Sequence, residues 1–526
     1  MKIAKADRGR IILAASSGLM LTAAFPNLQL SWLAWFGLVP LLAAIRDCGV
    51  KKSFKLGFSA GLIHYLTLIY WLAYTMRTYG YLPWPVCIAV LIFFSAILAL
   101  FSGVFTAIVA YLRLKPDRAL IMIPVVWVSV EYLRSFIFTG FPWEFIGHSQ
   151  YSTLQIIQIS DILGVYGISY LIVFVNTVIF FLILGLTKHD WQGVTITRRF
   201  AAVSITAAIF LSGFVWSYGQ WRLNAIDRLA KAAPQVRSVI VQGNIEQSVK
   251  WNPAFQLATA EKYLRLSRSA GNQNPDLFIW PETALPFYYN HNAALTAKVR
   301  KGIRDMGTYF LFGSPSFARK PGRIDYYNSA YLVDPEGKPL GKYDKAHLVP
   351  FGEYVPFKRW LPFLGKIVAQ VGDFSRGKIG ATIPWKNYKL GVLICYEGIF
   401  PYLARAMVKN GASLLIIITN DAWYGRSSAP YQHLSLAVFR AVENRRALIR
   451  SANTGISVFI DPAGRILAAT PLFQEAAVFD HVPVLTEQTF YTRFGDVFAI
   501  FCMAVVVGAI LWKGSQEIRL RKNIRR

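Results

Sequence analysis

Eight apolar segments, at 11–26, 29–46, 56–76, 84–112, 119–138, 161–187, 200–218 and 495–512, restrict most sharply what this chain can fold into. Most lie near the ~20 residues a helix needs to cross a bilayer, where each backbone polar group must be satisfied within its own segment. The first is short and the fourth long. Charged residues make up 16% of the 526 and hydrophobic ones 54%, whereas soluble domains carry roughly 25% charged residues. The expected architecture is a membrane α-helical bundle of about eight transmembrane helices. Between 218 and 495 the texture changes to short apolar strands, amphipathic helices and polar turns, the pattern of a water-soluble α/β domain. The chain divides accordingly into seven transmembrane helices over 1–218, a folded domain over 219–494, and an eighth helix with a basic tail over 495–526.

The charges are lopsided, 56 Lys and Arg against 28 Asp and Glu. Their placement assigns them to topology, because positive residues stay on the cytoplasmic side. Lys2, Lys5, Arg8 and Arg10 precede the first span; Arg46, Lys51, Lys52 and Lys55 separate the second and third; Arg113, Lys115 and Arg118 separate the fourth and fifth. Lys188, Arg198 and Arg199 lie between the sixth and seventh, and Lys513, Arg519, Arg521, Lys522, Arg525 and Arg526 fill the tail. The opposite short loops offer Arg77 and Arg134. Both termini are then cytoplasmic, and seven crossings put the large domain on the other face, the periplasm in a bacterium. Orientation absorbs most of the positive surplus, so no nucleic acid partner is implied; the remainder, in the soluble domain, favours an anionic lipid surface. No small-residue cleavage site follows the first apolar stretch, so it reads as a retained span. Cysteines at 48, 87, 395 and 502 are too few and scattered for a disulfide framework or a metal site.

Within the domain, strands are expected at 237–242, 277–280, 309–313, 329–333, 390–395, 413–419 and 457–460, alternating with helices at 255–268, 293–305, 402–409 and 433–445. Such alternation argues a layered α/β fold. Three features carry chemistry. An apolar strand runs through Trp280 and Pro281 into Glu282, and strand ends are where α/β folds place functional groups; taken alone, Glu282 reads first as a cap or surface partner. The stretch from Tyr343 to Tyr354 sets Lys345, His347 and Glu353 among Leu, Val, Pro and Phe, with a Lys345–Glu353 ion pair as the competing reading and packing expected for His347. A buried-looking strand ends at Cys395, followed by a helix from Pro401; a thiol at such a turn is expected to be drawn toward thiolate by the positive helix end. It is the one cysteine expected on the periplasmic side, where unpaired reactive thiols are disfavoured.

Together, W-P-E at 280–282, D-K-x-H-L-V-P-F-G-E at 344–353 and C-Y-E at 395–397 resemble the nitrilase superfamily. With the span pattern, and with Gln242-Gly243-Asn244-Ile245, Asn420-Asp421-Ala422-Trp423-Tyr424-Gly425 and Phe141-Pro142-Trp143 as further matches, the whole chain is similar to the apolipoprotein N-acyltransferase family. The resemblance implies an αββα sandwich. It implies Glu282 as general base, Lys345 as the oxyanion's cation and Cys395 as nucleophile. Glu353, Tyr396 and Glu397 would support the site, and Trp251, Trp423 and Trp143 would contact substrate. The implied reaction is ping-pong: Cys395 takes an acyl chain from the sn-1 position of a phospholipid, expected to be phosphatidylethanolamine. The thioester is then passed to the N-terminal amine of a diacylglyceryl apolipoprotein, without metal or cofactor, at the inner membrane.

Two rivals are weighed. A membrane-tethered amidase acting on a small amide or nitrile would use the same three residues but has no need of eight spans. A transporter or scaffold that had lost catalysis would not keep Glu282, Lys345 and Cys395. Three local expectations complete the reading: Glu131 and Arg134 pair with one another, Asp161 caps the sixth span, and 356–367, mixing apolar and basic residues, forms an arm at the bilayer.

Overall fold

The computed structural model describes residues 2–355 and 373–524; the expected arm at 356–367 lies outside them. The chain separates into two compact units, 1–221 with 496–526, and 222–495.

The first unit is helical. Among the described residues, four helices are long and apolar enough to cross a membrane: Trp84–Leu112, Val165–Leu186, Arg198–Ala232 and Val497–Leu520. Val50–Leu68 and Trp71–Thr78, bent by 50° at a short break, count as a fifth if taken as one span. The segments expected at 11–26, 29–46 and 119–138 are not among these helices. The first belongs to helix Lys2–Ala23, which carries Asp7, Arg8 and Arg10. The second is a 3-10 turn, Ser31–Trp35, followed by the short helix Val39–Ile45, and the third is helix Pro116–Arg134, charged at both ends and interrupted by Pro124.

Small residues bring these helices together. Gly57 and Gly61, four apart, face Trp84–Leu112 so closely that a Cβ at Gly57 would meet Ser102 O at 2.5 Å, the close backbone approach typical of membrane helix pairs. Thr106 seals the contact by donating to Ser53 O at 2.7 Å.

The Glu131–Arg134 pairing is not found. Arg134 donates to Trp143 O at 2.8 Å, and Glu131 Oε1 accepts from Trp127 Nε1 at 2.9 Å and Ile146 N–H at 2.8 Å. Each side chain finds main-chain groups of the 143–146 loop, whose polar atoms have no water to turn to in a bundle interior. Asp161 accepts from Tyr218 O–H at 2.7 Å. A two-stranded ribbon, β1 (Asp190–Trp191) with β2 (Val194–Thr195), joins two helices.

The second unit is built on two six-stranded sheets. The first contains β3 (Gln235–Gln242), β4 (Leu277–Ile279), β5 (Tyr309–Lys320), β6 (Arg323–Val333), β7 (Pro339–Asp344) and β14 (Ala476–Pro483), in the order β14-β3-β4-β5-β6-β7. The second contains β8 (Ile383–Trp385), β9 (Tyr388–Ile394), β10 (Leu414–Thr419), β11 (Leu448–Ala452), β12 (Val458–Ile460) and β13 (Ile466–Ala469), in the order β13-β12-β11-β10-β9-β8. In each, three parallel strands, β3-β4-β5 and β9-β10-β11, are flanked by antiparallel neighbours. The sheets face each other, with Ser451 Oγ donating to Ile279 O at 3.1 Å and Ser457 Oγ to Gln242 Oε1 at 2.6 Å. Helices cover the outer faces. Pro253–Ser269 and Ala293–Met306 close a core of Val239, Phe278, Trp280, Phe310 and Tyr263, while Pro401–Lys409 and Ala429–Asn444 cover the second sheet. The result is the four-layer αββα sandwich.

Candidate active site

The C-terminal ends of four strands converge on one place. Glu282 follows β4, Lys345 follows β7, Cys395 follows β9 and Asp421 follows β10, the C-terminal side where open α/β sheets gather functional groups. Glu282, Lys345 and Cys395 are 7%, 1% and 7% exposed, so their charges act on one another through little solvent.

Lys345 Nζ lies 2.9 Å from Glu353 Oε2 and 4.0 Å from Glu282 Oε1. Burial by itself would push this lysine toward its neutral form; Glu353 first, then Glu282, outweigh that and keep it protonated. The expected Lys345–Glu353 ion pair is therefore present, as part of the site. Asn328, on β6, bridges the two glutamates by donating both Nδ2 hydrogens, to Glu282 Oε1 at 2.8 Å and Glu353 Oε1 at 2.9 Å. Glu282 Oε2 is buried with no hydrogen-bond partner among the described residues. One carboxylate oxygen is thus held and the other left to accept a proton.

Cys395 takes φ +54°, left-handed for a residue with a side chain, where β9 turns sharply into the 3-10 helix Cys395–Ile399. His433 Nε2 lies 3.2 Å from the Cys395 carbonyl; a carbonyl only accepts, so Nε2 carries the proton. On its other side, His433 Nδ1 meets Asp421 at 3.2 Å and Arg450 at 3.1 Å, and Arg450 donates to Asp421 at 2.6 Å. Burial opposes a charge on Asp421, but Arg450 and His433 overcome it and hold the carboxyl well below its usual range.

The expectation of a thiolate at Cys395 is corrected. Burial raises the thiol and the Glu282 charge adds to it, against the pull of Lys345, leaving it pushed up to about 12. A single 3-10 turn begins at the cysteine, and the α-helix starts only at Pro401, so the helix end is too remote to offset desolvation. Iodoacetamide is expected to modify Cys395 at pH 8 at least about 100-fold more slowly than an ordinary thiol, with the rate still rising at pH 10. Peptide-resolved mass spectrometry across that range checks this, and a plateau near pH 8 would contradict it.

Glu397 ties the two halves of the site together. Its oxygens accept from Ala346 N–H at 2.7 Å and His347 N–H at 2.9 Å on one side, Ile394 N–H at 2.8 Å on the other, and Tyr343 O–H at 2.9 Å. Burial nevertheless pushes its carboxyl up to about 7. Tyr396 packs edge-on against Phe400 at 5.1 Å. His347 stacks on Phe400 at 3.9 Å and meets Tyr402 O–H at 2.8 Å, a packing role.

Similarity to known proteins identifies the family of the chain. The Carbon-nitrogen hydrolase family model matches residues 239–489, and the model of the Apolipoprotein N-acyltransferase N-terminal domain matches 17–178. An apolipoprotein N-acyltransferase of Geobacter metallireducens is 44% identical, with 95% of each chain covered. The chain belongs to the apolipoprotein N-acyltransferase family. Another member, from Methylococcus capsulatus, is 32% identical with 95% of each chain covered. A solved amidase from Nesterenkonia sp. AN1, of the nitrilase superfamily, matches 51% of this chain and 97% of its own at 21% identity and a TM-score of 0.37.

Of the three tryptophans that resemblance to this family singled out, two stand in the domain that carries the Glu–Lys–Cys cluster. Trp251 is 49% and Trp423 37% exposed. Trp251 lines a cavity of about 380 Å³ with Gln256, Phe287, Tyr288 and His291. Trp143, in the first unit, is buried against Trp71 at 5.2 Å. Local sequence pattern does not reveal Asn328, His433 or Arg450, whose contacts to the site are made across the fold. The Asn420 motif has a structural purpose: Asn420 bonds Asn453 and Gln247, and Asn453 holds Ile245, so together they fasten the loop leading to Trp251.

Proposed function

We propose that this family member transfers an acyl chain from the sn-1 position of a phospholipid, phosphatidylethanolamine, to the N-terminal amine of diacylglyceryl-cysteine in apolipoproteins. The supporting observation is the free, buried Glu282 oxygen beside a neutral thiol and a protonated lysine. Glu282 takes the thiol proton as Cys395 sulfur attacks the ester carbonyl, so the thiolate never has to exist alone. The developing oxyanion faces Lys345, already charged and held by Glu353, with the Tyr396 N–H as second donor. Collapse breaks the ester C–O bond, and Glu282 returns its proton to the departing lysophospholipid oxygen. The apolipoprotein amine then attacks the thioester, Glu282 receives the amine proton, and the C–S bond breaks as Glu282 passes that proton to the sulfur, restoring the thiol and the free carboxylate. Glu353, Tyr396 and Glu397 support the site, and Trp251, Trp423 and Trp143 meet the substrates. A thioester suits the task because neutral amines attack it readily, provided water is kept out.

The membrane arrangement proposed with it is seven spans over 1–218, a periplasmic catalytic domain over 219–494 and an eighth span with a basic cytoplasmic tail over 495–526. Both termini then face the cytoplasm across the bacterial inner membrane, as the loop charges support. The test is intact-protein mass spectrometry of the enzyme incubated with phosphatidylethanolamine. An acyl-sized gain is expected on the wild type, released by neutral hydroxylamine, transferred to a diacylglyceryl-lipopeptide amine and lacking in Cys395→Ser. No gain with accessible lipid, together with turnover of small amides, would turn the reading to a tethered amidase.

A further inference from the structure

Among the described residues of the domain, Lys250 is the one buried lysine besides Lys345, and the reaction above leaves it no task. It ends the short helix Gln247–Lys250 at 1% exposure, while its neighbour Trp251 stands half-exposed beside the 380 Å³ cavity. A lysine so buried normally sits against a carboxylate. This one instead donates from Nζ to the main-chain carbonyl of Glu282, at 3.0 Å. Negative charge on the Glu282 carboxyl or the Cys395 sulfur favours its charged form.

The carbonyl it grips belongs to a turn that needs holding. Thr283 has φ +49°, a left-handed conformation that a β-branched residue keeps only where its surroundings impose it. On one side β5 supplies that constraint: Gly313 N–H donates to Pro281 O at 3.1 Å. There a Cβ on Gly313 would meet Thr283 N at 2.2 Å and Glu282 Cα at 2.7 Å, so only glycine allows the approach. Lys250 supplies a second grip on the same turn. Lys345 is engaged by both oxygens of Glu353, at 3.0 and 2.9 Å, whereas among the described residues no ion pair commits Lys250 to a carboxylate.

We infer that Lys250 is a positioning residue for acyl transfer: its ammonium holds the Glu282 main chain so that the free carboxylate oxygen serves Cys395, and its charge favours the sulfur anion as it forms. The inference rests on the reading of Glu282 as the base. Glu282 and Cys395 are the ionisable groups acting on Lys250, and around Cys395 stand Lys345, Asp421 and Tyr424 in turn. Burial lowers the ammonium to about 8, so it is charged at neutral pH and discharges above.

The experiment compares full-length wild type, Lys250→Met, Lys250→Arg and Glu282→Gln in micelles containing phosphatidylethanolamine. It reads the rate of Cys395 acylation by intact mass and the pH dependence of Cys395 alkylation by iodoacetamide. Lys250→Met is expected to acylate at least about 30-fold more slowly at pH 7 with the same dependence on donor concentration, and its alkylation profile to move to higher pH. Lys250→Arg, which keeps the charge, should recover acylation to within about five-fold of wild type. Wild-type acylation by Lys250→Met overturns the inference, as does equal slowing of both lysine variants with an unmoved alkylation profile. Wild-type acylation by Glu282→Gln removes instead the base on which it rests. Where Lys250→Met does not accumulate folded, the neutral Lys250→Gln is read the same way.

Discussion

Glutamine in place of Glu282 is expected to slow acylation of Cys395 by about 10³-fold while making the same thiol more reactive toward iodoacetamide at pH 8. The two effects run in opposite directions because the carboxylate has two opposed influences on the sulfur. Its negative charge is the second cause, after burial, of the raised thiol, so a neutral amide lowers the cost of the free thiolate. It is also the acceptor for the thiol proton. In the variant, Asn328 still donates to the side-chain oxygen, which turns the amide nitrogen, a donor, toward the sulfur. A thiol that burial still holds raised then has to ionise unaided before it attacks an ester. Single-turnover acylation and alkylation measured on one preparation settle the matter. Should both fall together, the site has collapsed; should acylation persist, Glu282 is not the base.

Alanine at Glu397 is expected to lower the melting temperature by roughly 10 °C and to abolish acylation, although this carboxylate is not assigned to the chemistry. The variant strips the acceptor from Ala346, His347 and Ile394 N–H groups and from Tyr343 O–H, next to a side chain that is 0% exposed. Each stranded donor costs about 1–3 kcal/mol, and about 4 kcal/mol in all corresponds to roughly 10 °C for a unit of this size. The turn bearing Lys345 and the turn bearing Cys395 would also lose their shared anchor. Glu397→Gln should fall between, since its amide nitrogen must face at least one donor. Thermal unfolding followed by tryptophan fluorescence is the readout; a Glu397→Ala protein melting within about 2 °C of wild type would refute the anchoring role.

Much of the domain was legible residue by residue. Leu277, Phe278 and Ile279 announced β4, and the run from Leu390 to Ile394 announced β9, because a strand buried on both faces reads as continuous apolar sequence. β11 is not legible in the sequence because Leu448–Ala452 carries Arg450 at its centre, a residue tolerated there through its bonds to Asp421, His433 and the Ile456 carbonyl. β14 escaped because Asp480 and His481 interrupt its edge position beside β3. In the helical unit, hydropathy located the long helices, and Trp127 lies within helical reach of Glu131, but the main-chain partners of Glu131 and Arg134 lie on a loop beyond it.

By itself, then, the sequence determined the alternation of apolar and polar stretches, the order Glu282, Lys345, Cys395, and enough local pattern to mark the family. These are properties of neighbours along the chain, and they survive being read one segment at a time. Only the tertiary structure decided that the thiol is neutral, that Glu282 has one tethered and one free oxygen, that Asn328 bridges two glutamates and that Lys250 grips the turn of the base. Those outcomes depend on which groups meet after folding and on how much water the fold removes from between them, and burial changes the energy of a charge far more than any neighbour along the chain can.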